Sequence, residues 1–320
     1  MKLKDLFNFF IEQGIARDLR GKDAVLAELK RKNEKFEKLP SDEKEGFDTD
    51  TLTNPFADSR ILFGSPDTEV KTILTGIDIE SAEIILAHTL KTTGKSIDLV
   101  LTHHPEGKAY ATFYQVMGLQ SDVLNKFGVP ITMAESMTDA RMKEVGRKVM
   151  GQNHMRAVDA ARLLDIPFMS AHTVADNHVA SYLQKLIDEK KPAFIGDIIK
   201  ILKEIPEYKE AGGNGAGPTV LLGSKEHRAG KIFVDMTGGT EGAREAIEKL
   251  ADAGVGTMIC MHMSDEHFKI AEKCHMRVII AGHISSDNLG VNLLFDAAEK
   301  KFGTLNFIDC SGFRRIRHTN

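Results

Sequence analysis

Short apolar runs separated by helical patterns, from residue 70 to the end of the chain, predict an α/β protein of two lobes with mostly parallel sheets. Three observations carry this. The runs are continuously apolar, as strands buried on both faces are. The segments between them repeat at helical spacing. The chain has 320 residues, enough for two cores, and a break between 165 and 217 divides them.

The elements follow in order. The first 15 residues place Leu3, Leu6, Phe9, Phe10 and Ile15 on one stripe of an amphipathic helix. Residues 17–50 mix charges of both signs, with a helix over 23–37 and a loop marked by Pro40, Ser41, Asp42 and Gly46, and read as a solvated helical hairpin. The strands expected next are VKTILTGI, SIDLVLT, VPITMAE and IPFMSA, with helices over 80–92, 110–127, 138–150, 154–164 and 177–189. A helix over 196–204 and a glycine-rich loop, AGGNGAGP, lead to PTVLLG, KIFVDM, GTMICMHM, RVIIAG and TLNFIDC. Helices over 241–253, 264–274 and 285–302 lie between these. The expected division is a helical segment over 1–50, a first lobe over 51–165 and a second over 166–290, with 291–310 able to return to the first.

Composition narrows the function. A formal net charge of −4 gives no standing attraction for nucleic acid or an anionic membrane. Asp5, Asn8 and Glu12 interrupt the N-terminal apolar run, so it does not read as a secretory signal, and no stretch is apolar for long enough to span a bilayer. Cys260, Cys274 and Cys310 show no C-x-x-C spacing and read as thiols in a reducing compartment. The expectation is a cytoplasmic protein with a small-molecule ligand.

In open α/β sheets ligands collect at the carboxyl ends of strands. Three strand ends here carry histidine. SIDLVLT runs into His103-His104-Pro105, IPFMSA into His172-Thr173-Val174-Ala175-Asp176, and RVIIAG into His283-Ile284-Ser285-Ser286-Asp287. Imidazole and carboxylate together suit Zn²⁺, Mn²⁺ or Fe²⁺. Adjacent strand residues point to opposite faces, so His103 and His104 converge only where the chain leaves strand geometry, as Pro105 makes it do. Two such imidazoles can each take one of two neighbouring ions. His283 and Asp287 lie four apart across a helix entrance, and Asp176 can bridge two ions with its two oxygens. Each residue also has a plainer reading: Asp176 as cap of helix 177–189, Ser285 or Ser286 as cap of the last long helix, and a lone histidine as a hydrogen-bonded surface group.

The run DLVLTHHPEG resembles the T-H-H-P motif of the NIF-three-like proteins, also known as GTP cyclohydrolase 1 type 2 homologues. His172 to Asp176 resembles their H-T-N-L-D motif, and Gly282 to Asp287 their G-H-x-x-S-E motif. The resemblance covers roughly residues 54–310 and keeps the family's order. It implies a dinuclear metal centre in a cleft between the lobes, with ligands at His103, His104, Asp176, His283 and Asp287. It also implies a ring-shaped homohexamer and hydrolytic opening of a nucleotide's imidazole ring. The chain departs from the family at Asp287, where Glu is usual, at Val174, where Asn is usual, and at Glu106-Gly107-Lys108, which replaces an apolar-aromatic stretch. The segment before residue 50 is also longer.

Other signals are weaker. His172 is read as the residue that orients a ligand in the catalytic apparatus. Glu106, Lys108 and His178 are candidates for acid, base or anion contact. The turn Thr237-Gly238-Gly239-Thr240 can present a helix N-terminus to a phosphate, though an ordinary βα turn explains it as well. The glycine-rich loop lacks the Lys-Ser/Thr of a P-loop and reads as a connection or lid. His262, His267 and His275 have no matched carboxylate in the sequence and read as structural. The leading reading is a metal-dependent hydrolase using two divalent ions. The other is a non-enzymatic metal-handling protein or ring-shaped scaffold.

Overall fold

The computed structural model describes residues 1–318. The chain opens with helices α1 (Leu3–Arg17), α2 (Lys22–Glu37) and α3 (Ser41–Glu45). The apolar stripe of α1 is not a surface feature: Leu3, Leu6, Phe10 and Ile15 join Val174, Val291 and Phe295 in the core beneath the first sheet. Helix α2 buries only Val25, as a solvated helix should.

Two sheets follow. The first runs β1 (Arg60–Phe63), β4 (Phe168–Ser170), β3 (Leu99–Thr102), β2 (Thr72–Gly76), β9 (Asn306–Asp309), with β1 antiparallel to β4 and the other pairs parallel. The second runs β5 (Thr219–Leu222), β8 (Arg277–Ile280), β7 (Val255–Cys260), β6 (Lys231–Asp235), with β5 antiparallel to β8 and the rest parallel. Strands β2 and β3 are buried along their whole length, which is why they read as unbroken apolar runs.

Helices α4 (Ser81–Thr92), α5 (Gly107–Thr112), α6 (Leu119–Lys126), α7 (Ile131–Val149) and α8 (Arg156–Leu163) accompany the first sheet in the chain. Then come α9 (Thr173–Lys190), α10 (Ile195–Lys203) and α11 (Pro206–Gly213), with α12 (Glu245–Asp252), α13 (Asp265–Lys273) and α14 (His283–Phe302) among and after the strands of the second sheet.

Four expectations are corrected. VPITMAE is not a strand: helix starts at Ile131, after Pro130. A short apolar run does not separate the two periods, and the helical one shows in the longer series of buried Ala134, Thr138, Val145 and Val149. The helix expected over 110–127 breaks into α5, a 3₁₀ turn over Phe113–Gly118, and α6. The glycine-rich loop begins as α11, which has Pro206 in its first turn. The boundary at 165 cuts through the first sheet, because β4 pairs with β1 and β3. Strand β9 does return to that sheet, beside β2.

Helices α9 and α14 lie against each other, and a glycine sets their distance. A Cβ at Gly290 would meet the Ala175 carbonyl oxygen at 2.5 Å, so only glycine lets the two backbones approach. The contact lies one residue from Asp176 and three from Asp287, and it brings the first turns of both helices to one place.

Candidate metal centre

Strands β3 and β4 are neighbours in the first sheet, and both end at the same edge. Beyond β3 the chain leaves the ladder. His103 N donates to Gly76 O at the end of β2, His104 N to Ile77 O just past it, and Thr102 Oγ1 to His104 O. Both imidazoles thereby face one side, with ring centroids 5.3 Å apart. Beyond β4, His172 caps α9, and its ring lies 4.8 Å from that of His103. Beyond β8, Gly282 turns at φ 114° into α14, and His283 sits 5.1 Å from His104.

The carboxylates close the cluster. His103 Nε2 lies 3.4 Å from Asp176 Oδ1 and 3.5 Å from Asp287 Oδ1. Asp287 Oδ2 lies 3.5 Å from His104 Nε2 and 3.6 Å from His283 Nε2. His172 Nε2 is 3.7 Å from Asp176 Oδ2. Asp287 therefore turns one oxygen toward His103 and the other toward His104 and His283, while Asp176 turns its two oxygens toward His103 and His172. The six residues fall into overlapping groups able to hold a metal ion: His103, His104, His172; His104, His283, Asp287; and His103, Asp176, Asp287.

The chemistry of these atoms fits a divalent cation. Three imidazoles have Nδ1 engaged: His103 with Ala171 O at 3.2 Å, His104 with Asp78 at 2.7 Å and His172 with Asp58 at 2.8 Å. Such a partner leaves Nε2 as the free lone pair, the usual support of a metal-binding histidine. His103 Nε2, Asp176 Oδ1 and both Asp287 oxygens are buried without a hydrogen-bond partner among the described residues. Buried polar atoms left like this cost stability unless something fills the gap. Ligand atoms about 3.4 Å apart are what bonds of about 2.1 Å around a tetrahedral ion require.

Charge within the cluster is strongly coupled. Burial opposes the charge on His103, but Asp287 and Asp176 outweigh it and raise its pKa. His104 is likewise raised against burial, to about 9, by Asp287 and Asp78. Asp287 is held far below the usual carboxylate range: burial works against this, and His103 and His104 prevail. His283 is lowered, mainly by burial.

The cluster opens into a cleft of about 390 Å³ between the lobes. Across it stand residues that the sequence pattern missed or set aside. Asp235, at the end of β6, is pushed up to about 6 by burial and then Glu241. His262 stacks on His283 at 4.9 Å and has Glu241 3.6 Å from its Nδ1, so it does have a matched carboxylate, and His267 shares it at 3.7 Å. Glu106 lines the cleft and is raised to about 7 by burial and Glu80. Lys108 instead pairs with Asp48, and His178 is buried beside the charge of Arg17, where α9 packs on α1; neither lines the cleft. The Thr237–Thr240 turn lines the cleft, but α12 begins only at Glu245, and Gln120 fills the turn by donating to Gly238 O and Thr240 O. Asp78 follows β2 and Asp235 ends β6, so the rule that found the histidines could have found them. Asp58 lies in a loop and carries no such signal.

No family model matches the chain. It is 28% identical over 251 residues to the GTP cyclohydrolase 1 type 2 homolog of Pyrococcus horikoshii, covering 75% of this chain and 85% of that protein. A solved NIF3 superfamily protein from Sphaerobacter thermophilus superposes with a TM-score of 0.69 at 28% identity, over 80% of this chain and 92% of that one. Reduced HcgD from Methanocaldococcus jannaschii shares the fold, with a TM-score of 0.50 at 17% identity over 80% and 93%. Fold and site together define a two-lobed α/β protein with a histidine–aspartate cluster at the mouth of its interlobe cleft. Within that class, the chain is similar to the NIF3-like proteins.

Proposed function

We propose that this protein is a dinuclear metal-dependent hydrolase acting on a nucleotide or related heterocycle, in the manner named for its Pyrococcus horikoshii relative. The observation that supports it most is the set of buried, unpartnered ligand atoms on His103, Asp176 and Asp287, with Asp287 facing both halves of the cluster. His103, His172 and Asp176 with one Asp287 oxygen would hold one ion, and His104 and His283 with the other oxygen the second. Bound there, such ions supply Lewis acidity and a water of lowered pKa.

The remaining steps fall to the chain's own groups. Asp58 and Asp78 orient His172 and His104 through Nδ1. Asp235, raised toward neutrality, can carry a proton at its carboxyl oxygen on the far wall of the cleft. Tyr110 and Phe113 give the cleft an aromatic surface for a planar ring.

Purified protein loaded with Mn²⁺, Fe²⁺ or Zn²⁺ is expected to carry about two ions per chain and to open or hydrolyse some nucleotide at a metal-dependent rate. Two ions without turnover across a nucleotide screen would replace the hydrolase with a metal-handling or scaffold role. Absence of metal by elemental analysis would remove both readings. The proposed assembly is a closed homohexamer, and light scattering is expected to give about six times the 35.4 kDa chain mass.

A further inference from the structure

Beside His283, between the start of α14, α11 with the loop after it, and the segment after β9, lies a second cavity of about 530 Å³. The glycine-rich loop of residues 214–217 forms part of its wall, together with Gly282, Ser285 and Arg314. We propose that this cavity is an anion subsite for the phosphate or carboxylate group of a small organic molecule, a site that does not depend on a metal at the histidine cluster.

Three features carry the proposal. Helix α14 is 20 residues long and starts without a side-chain cap, because its N-cap is Gly282, so the first N–H groups have no side-chain acceptor. Such a terminus attracts negative charge. Ser285, in that first turn, is only 6% exposed, and its Oγ has no hydrogen-bond partner among the described residues. A Cβ at Gly282 would lie 2.5 Å from that Oγ, so glycine keeps the space in front of it open. Arg314 adds an exposed guanidinium on the same cavity wall.

Carboxylates line the same cavity as well. Asn292 and His318 both engage Glu207 Oε1, while Glu207 Oε2 is buried without a hydrogen-bond partner among the described residues; Glu210 is exposed on α11. Part of the wall is apolar, with Ile280, Ile284 and Ile316. An apolar wall next to an anion terminus favours an anion with an organic body over a bare ion.

The test uses full-length protein stripped of metal by chelator, titrated calorimetrically with inorganic phosphate and with phenyl phosphate. Phenyl phosphate is expected to bind at least tenfold tighter than inorganic phosphate. Ser285→Ala and Arg314→Gln are each expected to weaken it about fivefold or more, with unchanged far-UV dichroism. Crystals soaked in selenate are expected to show an anomalous peak within hydrogen-bond reach of Ser285 Oγ. Equal affinity for the two titrants overturns the organic anion. No binding, or affinity unchanged in both variants, overturns the subsite whatever the cluster holds.

Discussion

The two halves of the histidine cluster are built differently. The half rooted in the first sheet is buried and braced: the His103 side chain is 1% exposed and that of His172 9%, and each imidazole has its Nδ1 tied to a fixed acceptor. Asp58, which holds His172, is itself fully buried and also takes hydrogen bonds from Thr173 Oγ1 and Ser59 Oγ. The other half joins His104, held by Asp78, to a more open ligand on α14. His283 is 40% exposed, has no hydrogen bond to either ring nitrogen among the described residues, and rests between the rings of His104 and His262. A braced ligand loses little freedom on binding, and a free one loses more. The comparison predicts two sites of unequal affinity joined by one carboxylate, Asp287.

The largest effect is therefore expected at Asp287. Asp287→Asn should lower the affinity of both ions by more than the roughly 10–100-fold typical of losing an outer partner. Titration with Mn²⁺ reads this directly. Asp287→Glu should retain metal, because it keeps both oxygens on a longer stem. Unchanged affinity in Asp287→Asn would take this residue out of the site and dissolve the link between the halves. The expectation that Ser285 or Ser286 caps the helix is corrected by the structure: α14 begins at His283, and Ser286 Oγ turns back to Gly282 O within the helix.

Next comes the order of loss. Under graded chelator, the ion on the α14 side should leave first. His283→Asn should abolish that ion and spare the other, whereas Asp58→Asn should weaken the braced ion by about 10–100-fold. Loss of both ions together in wild-type protein would mean that the halves act as one site.

The smallest effect concerns what supports α14. The C-terminal segment is strapped along this helix: Arg315 pairs with Asp296 and Glu299, and His318 with Glu207. The hydrogen bond from Glu207 raises the pKa of His318 above the ordinary 6.5, against burial. The folded state thus keeps a proton that the unfolded chain gives up first, so the pair's contribution is complete below pH 6.5 and is lost as pH rises through the raised value. His318→Gln should cost about 1 kcal/mol in urea unfolding at pH 6 and little at pH 9. If the openness of the second half is local to His283, this variant leaves Mn²⁺ affinity unchanged. A parallel loss of metal would place the looseness in α14 as a whole.

Much of the site is legible in the amino-acid sequence, because a strand buried on both faces announces its own end. His103, His104 and His283 each follow such a run within two residues, and the four-residue spacing from His172 to Asp176 and from His283 to Asp287 places both members of each pair at one helix entrance. The class of the fold is equally plain, since short buried strands and amphipathic helices impose different periods on the same chain. Where local period is ambiguous, as in VPITMAE, the pattern misleads, and the wider helical spacing of α7 decides.

What the chain's order does not reveal is adjacency. That β4 lies beside β3, and so belongs to the first lobe, follows from hydrogen bonds between strands about seventy residues apart. That Asp287 faces both halves depends on the close approach of α14 to α9 at Gly290. The roles of Asp58, Asp78 and Glu241 rest on partners 21 to 114 positions away, beyond the reach of any local pattern. Residue type and spacing determine which groups can bind metal. Packing of one element on another determines which of them meet, because a side chain reaches only a few ångströms and the sequence does not record which backbones lie within that reach.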